Sequence, residues 1–405
     1  MTIGVGGSTA KEELEKLRNM TADIQPVSQQ EFQQRIAAAQ KLMQQQGITV
    51  TYLNAGTNLY YFTGTGWHPS ERMVGALLPA KGDMVYIAPH FELNTLKQYM
   101  QVQAEVATWQ EHECPYALAI DVLNGMGIHN GKFAIDESTA FFISNGMDQQ
   151  ANDFQLVSAT PVTGACRMIK SATELALMQR AKDMTLTVQK AAARILRNGI
   201  TTLEVTEFID EAHRRVGAPS GSYFCIVLFG EDSSFPHGVK QPKALETNDM
   251  VLIDTGCQIE GYISDITRSY VFGTADDRQR KMWAIEKAAQ DKAFQAAQIG
   301  QPCGEVDIAA RTYLADQGLG PDYQTPGCPH RTGHGIGLDI HEWPYLVKSN
   351  QTPLAAGMCF SNEPMLVVPG EFGIRLEDHF YMTDQGPEWF TQPSHSIDDP
   401  FGYRV

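Results

Sequence analysis

Val251-Leu252-Ile253-Asp254-Thr255-Gly256-Cys257-Gln258-Ile259-Glu260-Gly261-Tyr262-Ile263-Ser264-Asp265-Ile266-Thr267-Arg268-Ser269-Tyr270 is the stretch on which the fold turns. Two apolar strands flank a turn near Glu260-Gly261. With the turn centred at 259/260, Asp254 stands directly opposite Asp265. Centred one residue later, the two become diagonal neighbours on the same face. In either register both carboxylates point the same way, roughly 5–8 Å apart at Cβ. An aspartate inside a Val-Leu-Ile strand is costly unless it is paired or bound to a cation. Two side by side repel each other, and a metal ion resolves both problems.

A second hairpin repeats the device. Ser361-Asn362-Glu363-Pro364-Met365-Leu366-Val367-Val368 runs into a turn at Pro369–Gly373, and Ile374-Arg375-Leu376-Glu377-Asp378 returns. Glu363 and Glu377 are symmetric about Gly370 and so can face each other across the ladder. Pro364 implies an edge or a bulge in the first strand. Between the hairpins lies His330-Arg331-Thr332-Gly333-His334-Gly335-Ile336-Gly337-Leu338-Asp339-Ile340-His341-Glu342. The alternating glycines allow close backbone approach and unusual φ/ψ, and they leave the His334 imidazole unobstructed. No single carboxylate here is diagnostic, and a lone Gly-His-Gly is common. The Gly-x-Gly-x-Gly run also lacks the strand–G-x-G-x-x-G–helix order of a nucleotide loop. One histidine with four carboxylates, on two hairpins of matching design, is the specific signal: it suits two hard or borderline divalent ions.

These segments resemble the five-ligand signature of the pita-bread metallopeptidases, which include methionine aminopeptidase, aminopeptidase P and prolidase. Asp254, Asp265, His334, Glu363 and Glu377 occupy all five ligand positions, within a match over about residues 165–380. The resemblance implies Asp254 on one metal, His334 and Glu363 on the other, and Asp265 and Glu377 bridging. It implies a shared hydroxide between ions about 3.5–4 Å apart as the nucleophile, with Glu363 also shuttling its proton to the leaving nitrogen. His237, in Phe235-Pro236-His237-Gly238, and His341, seven residues after His334, match the family's substrate histidines. They would steady the carbonyl and the tetrahedral oxyanion. Thr267 and Arg375 resemble the groups that orient the bridging carboxylates. Manganese is the expected ion, and cobalt, zinc and iron are compatible with the same donors.

Outward from the ligands, helix and strand alternate through the first half of the chain. Ser28 and Glu31 form a capping box before an apolar stripe of Phe32, Ile36 and Met43 that stops at Gly47. A strand follows over 48–53, a hairpin over 73–79 and 84–88, and short strands over 132–135 and 154–157. A second capping box, Ser171 to Glu174, opens a long helix running to about residue 198, and helices are expected near 203–214 and 278–298. The fold class is α+β: a C-terminal pita-bread domain (165–405) preceded by a smaller α/β domain (28–160). Residues 1–27 are polar, with a helical stretch at 11–19, and are expected to form an arm or a frayed end. Leu59-Tyr60-Tyr61-Phe62-Thr63-Gly64 resembles the creatinase/prolidase N-terminal domain, and Arg167-Met168-Ile169-Lys170 the usual approach to the catalytic domain. Such a domain favours the Xaa-Pro and creatinase branch, whose members are usually homodimers. In related dimers the partner's N-terminal domain can close the site, a role in which Trp67 and His68 would limit substrate length.

Composition narrows the function further. The 405 residues exceed one comfortable core, and 43% are apolar. With 31 basic and 47 acidic residues the formal charge is −16, which disfavours nucleic acid. Seven scattered cysteines without a C-x-x-C pair suggest reduced thiols and a cytoplasmic setting. No signal peptide and no membrane span is visible in the sequence. The expected function is a dinuclear-metal peptidase that hydrolyses the Xaa-Pro bond of dipeptides or of peptide N-termini, its substrate a small peptide with proline second. The alternative is a metal-dependent lyase, similar to the dimethylsulfoniopropionate lyases, or another non-peptide hydrolase on the same fold. Those lyases carry altered ligand sets, the creatinase branch has lost its metal ligands, and the inactive binding modules of the fold have lost theirs too.

Overall fold

The computed structural model describes residues 1–404. The chain divides into two compact units, one of Val27–Arg167 and one that combines Met1–Pro26 with Met168–Val405.

The Val27–Arg167 unit is built on one sheet of six strands in the order β4-β3-β2-β1-β5-β6. They are β1 (Ile48–Asn54), β2 (Gly75–Pro79), β3 (Val85–Pro89), β4 (Glu105–Trp109), β5 (Gly131–Ile135) and β6 (Phe154–Ser158). β1 pairs antiparallel with β2 and parallel with β5. Val50, Tyr52, Leu77, Ile87 and Phe133 fill one core with Leu123, Ile143 and Met147 from two helices. The Gln29–Gln46 helix starts on the Ser28 cap and ends at Gly47 in the left-handed region, φ 65°, as its sequence requires. Its buried stripe is Phe32, Arg35, Ala39 and Met43, so Arg35 takes part where Ile36 was expected. The Arg35 guanidinium lies over the Tyr61 ring, 4.2 Å from its centroid, and donates to the Tyr61 carbonyl, which lets a cation enter an apolar stripe.

In the other unit, β7 (Ser222–Phe229), β8 (Met250–Ile259) and β10 (Ile266–Val271) form a sheet in the order β10-β8-β7, and the short β9 (Tyr262–Ile263) pairs with β8. A second sheet runs β12-β11-β13-β16-β17, from β11 (Gly333–Gly335), β12 (Glu342–Leu346), β13 (Cys359–Asn362), β16 (Asp378–Thr383) and β17 (Gly386–Trp389). β14 (Met365–Val368) and β15 (Phe372–Arg375) pair as a separate ribbon. Long helices Ala172–Arg194, Thr202–Val216 and Asp277–Ala296 fall near the three expected positions, and all three begin with complete capping boxes, at Ser171, Thr201 and Asp276. A fourth, Cys303–Asp316, was not foreseen. Its buried face includes Asp307 and Arg311 as well as Val306, Ala310 and Leu314, so a paired charge interrupts the apolar stripe that would have revealed it.

The first 26 residues are not a frayed end. Thr2 Oγ1 donates to the Val271 carbonyl at 2.6 Å, and the Gly6 and Met20 amides donate to the Ala193 and Val216 carbonyls at 2.8 Å. Asp23 accepts from both terminal nitrogens of Arg180. The segment is tied to three elements of the larger unit. Among the described residues no helix is long and apolar enough to cross a membrane.

Candidate metal centre

The register of the first hairpin resolves the two alternatives left open by its sequence. Ile259 pairs with Tyr262 and Asp254 with Thr267, so the turn is centred on Glu260-Gly261 and Asp254 and Asp265 are diagonal. Glu260 and Gly261 have φ of 48° and 83°, the conformation a two-residue hairpin turn demands. In the second hairpin Asn362 pairs with Asp378 and Met365 with Arg375. Glu363 and Glu377 thus sit opposite each other in the gap between two ladders. Pro364 causes that gap, because it has no amide to give to a ladder, and the strand divides into β13 and β14 around it.

Each hairpin is held from behind by one buried glutamine of a long helix. Gln189 Nε2 donates to the carbonyls of Ile253 and Ile266, both at 2.9 Å, each next to a predicted aspartate ligand. Gln290 Nε2 donates to the Leu376 carbonyl at 2.9 Å and the Asn362 carbonyl at 3.4 Å, each next to a predicted glutamate ligand. Arg268, fully buried, joins the hairpins by donating to Asp378 Oδ1 at 2.7 Å and the Glu377 carbonyl at 2.8 Å. The sequence reading passed over all three residues, since a glutamine on a buried helix face carries no chemical signature of its own.

The side chains converge on one volume. His334 Nε2 is 3.0 Å from Glu363 Oε1 and 4.0 Å from Asp265 Oδ2. Its Nδ1 faces the Gly335 carbonyl at 3.0 Å, which fixes the tautomer that offers Nε2 as a ligand. Ser361 Oγ accepts from the His334 amide and donates to Glu363 Oε1. Thr267 Oγ1 donates to Glu377 Oε2 at 2.7 Å and accepts from Arg375 Nε at 3.1 Å. Arg375 also pairs with Asp254 Oδ2 and donates to the Pro236 carbonyl. Its direct partner is therefore Asp254, and it reaches the expected bridging carboxylate Glu377 through Thr267.

The glycines around His334 serve close approach. A Cβ on Gly333 would come within 2.1 Å of the Ser361 carbonyl oxygen, and one on Gly335 within 2.4 Å of the Glu342 carbonyl oxygen. Neither they nor Gly337 has a positive φ, so the unusual backbone conformation also expected there is not found.

The donor set fits a cation. Asp254 Oδ1, Asp265 Oδ1 and Glu377 Oε1 are buried and have no hydrogen-bond partner among the described residues. Burial pushes Asp265 well above the usual carboxylate range, and Glu377 and Asp254 beside it add to the rise. Glu377 is raised in the same way by burial, then by Glu363 and Asp254. For Glu363 burial acts upward most strongly, but His334, His330 and Arg375 together hold this carboxyl low. Such a cluster cannot hold all its negative charge without positive ions among it. Donor atoms of His334, Glu363 and Glu377 lie within 4.8 Å of one another, as do those of Asp265, Glu377 and His379. His379 was missed by the sequence reading. Glu377 immediately precedes β16, and the His379 ring inside that strand comes within 3.5 Å of Glu377 Oε1.

A cavity of about 310 Å³ opens onto these groups, lined by His237, His330, Arg331, His334, His341, Glu363 and Arg375 with two prolines. The His341 ring packs against that of His334, centroids 4.0 Å apart. Burial, then His334, pushes His341 down to about 4, so it is neutral near pH 7 and can donate a hydrogen bond without carrying charge. Glu342, the carboxylate next to His341, forms a buried ion pair with Lys170. Trp67, in the other unit, packs edge-to-face on Tyr99 with centroids 6.1 Å apart.

Fold and site together define a metallopeptidase whose pita-bread catalytic domain follows a creatinase/prolidase N-terminal domain in the chain. The profile of metallopeptidase family M24 matches residues 176–384, and that of the creatinase/prolidase N-terminal domain matches residues 35–169. The chain belongs to metallopeptidase family M24. Dipeptidase PepE from Mycobacterium ulcerans is 32% identical and superposes with a TM-score of 0.85 over 92% of this chain and 98% of that one. A prolidase from Thermococcus sibiricus is 28% identical, with a TM-score of 0.81 over 89% of this chain and 97% of that one. An uncharacterized peptidase of Staphylococcus aureus is 30% identical over 346 residues, 85% of this chain and 95% of that protein.

Proposed function

We propose that this chain hydrolyses the Xaa-Pro bond of dipeptides or of peptide N-termini, using two divalent ions held by Asp254, Asp265, His334, Glu363 and Glu377. The observation that carries the reading is the set of buried, partnerless carboxylate oxygens on Asp254, Asp265 and Glu377 beside the His334–Glu363 pair. The Xaa-Pro preference is supported by the likeness to a prolidase and by the N-terminal domain type. When bound, the ions supply Lewis acidity and a water acidic enough to attack at neutral pH. Manganese suits the oxygen-rich donors, with cobalt, zinc and iron as alternatives.

The residues of the chain supply the rest. Glu363 takes the proton of the attacking water and delivers it to the departing imide nitrogen. Like any amide nitrogen, that of proline leaves as an amine only once protonated, and this delivery supplies the proton. His341 and His237 line the cavity and donate to the scissile carbonyl as its oxygen gains charge. Arg375 and Thr267 hold Asp254 and Glu377 in place.

The test is to strip the purified chain of metal, restore manganese, cobalt, zinc or iron, and assay Ala-Pro, a Xaa-Pro tripeptide, Ala-Ala and dimethylsulfoniopropionate. Cleavage before proline that needs metal and is lost in Asp265→Ala is the expected result. Two bound ions without proline cleavage would overturn it and point to a lyase or another non-peptide substrate.

A further inference from the structure

His379 occupies a position that the five-ligand set leaves unexplained. It lies in β16 two residues after Glu377, which immediately precedes that strand, and both side chains reach the same buried volume. The residue is fully buried, and neither ring nitrogen has a hydrogen-bond partner among the described residues. Its Nε2 stands 3.5 Å from Glu377 Oε1. Together with a carboxylate oxygen of Asp265, these donor atoms all lie within 4.8 Å of one another.

That separation is informative. A hydrogen bond from imidazole to a carboxylate is shorter, about 2.7–2.9 Å when charge-assisted. Two donors that each bind one ion at about 2.0–2.2 Å, at tetrahedral to octahedral angles, lie roughly 3.0–3.5 Å apart. An imidazole buried with both nitrogens unpaired loses its hydration without recompense, and an ion between Nε2 and Glu377 restores it.

We propose that His379 is a metal ligand, its Nε2 binding, beside Asp265 and Glu377, the ion that does not carry His334. The centre then carries an imidazole on each ion, His334 on one and His379 on the other. The inference rests on the two-ion reading of the site and extends it by one ligand. A second nitrogen donor moves the preference of that ion away from manganese and toward zinc, cobalt or iron, relative to a position held by carboxylates alone.

The test uses the whole chain, stripped of metal and reloaded with cobalt(II). Proton NMR of the loaded protein reveals each coordinated imidazole as a solvent-exchangeable N–H resonance shifted far outside the ordinary range. Two such resonances are expected in the unaltered chain, one lost in His379→Gln, the other in His334→Gln, and neither in His341→Gln. Zinc titration by calorimetry should show one of two binding steps weakened at least tenfold in His379→Gln. A single shifted resonance that survives His379→Gln, with both zinc steps unchanged, overturns the proposal. The resonance count of the unaltered chain decides the matter by itself if a variant does not fold. Absence of any bound ion in the unaltered chain is a separate outcome that sinks the two-ion reading.

Discussion

Arg375 ties together three parts of the centre, since its guanidinium reaches Asp254, Thr267 and the Pro236 carbonyl just before His237. Burial acts against its charge, but the surrounding carboxylates, Asp254 first, hold the guanidinium firmly protonated. Lysine keeps the charge but not the planar fork. Arg375→Lys is therefore expected to weaken manganese binding by about 10–100-fold, measured by calorimetry; an unchanged affinity would remove Arg375 from this role. His213 makes a different kind of prediction. It is fully buried, with Nδ1 on Ser222 Oγ at 2.8 Å and Nε2 on Thr185 Oγ1 at 3.1 Å, and Thr185 in turn bonds Ser264 Oγ, next to Asp265. Burial lowers His213 from 6.5 to about 4. As pH falls below 6.5 the unfolded chain takes up this proton and the folded chain does not, so stability declines until about pH 4. The loss is about 1.4 kcal/mol per pH unit, about 3 kcal/mol in all. Denaturant titrations from pH 7 to 4.5 should show a flatter decline in His213→Gln, and parallel curves would refute the assignment.

Two features decide whether the ligand-bearing elements stay in place: the backing glutamines and the glycines around His334. Gln290→Leu leaves the Leu376 and Asn362 carbonyls without its amide, beside both glutamate ligands. The cost is about 1–3 kcal/mol for each buried group left unpaired, read as a lower denaturation midpoint with an unchanged slope. Asn362 Nδ2 also donates to the Gln290 backbone carbonyl at 2.9 Å, a bond the substitution leaves intact, so the loss should not be larger. Gly335→Ala drives a Cβ into the Glu342 carbonyl and pushes β11 away from β12. Overpacking of this sort costs about 1–3 kcal/mol, and the shift moves His334 from its carboxylates. The variant should fold but bind less metal, as measured by elemental analysis after dialysis; full metal content would show that the close approach is dispensable.

On the scale of the whole molecule, every proposed ligand belongs to the unit that combines Met1–Pro26 with Met168–Val405. Metal bound only to the folded state stabilises it by about 2.7 kcal/mol at a concentration 100 times its Kd. Calorimetric scans should show the transition of that unit fall by several degrees with a chelator, while the transition of the Val27–Arg167 unit stays put. Asp265→Ala should abolish the response to metal. A chelator effect of equal size on both transitions would contradict this partition.

The sequence by itself determined the metallopeptidase class and much of the framework. Carboxylates in Val-Leu-Ile strands point to a cation or a charged partner, because an unpaired buried carboxylate is costly. The symmetry of the second hairpin about Gly370 gave the facing of Glu363 and Glu377, since a ladder pairs residues at a fixed sum. The capping box at Ser171 marks a helix start because it is complete within four residues. Other features required the tertiary structure. The first hairpin had two acceptable registers that keep both aspartates on one face, and only the turn at Glu260-Gly261 separated them. The Cys303–Asp316 helix was hidden because the Asp307–Arg311 pair becomes acceptable in a core only once each has the other and nearby backbone groups as partners. The same reason covers Arg35, Gln189, Gln290, Arg268 and His379. Each is a polar side chain whose meaning lies in a carbonyl, ring or carboxylate brought to it from elsewhere in the fold, and periodicity along the chain carries no record of those partners.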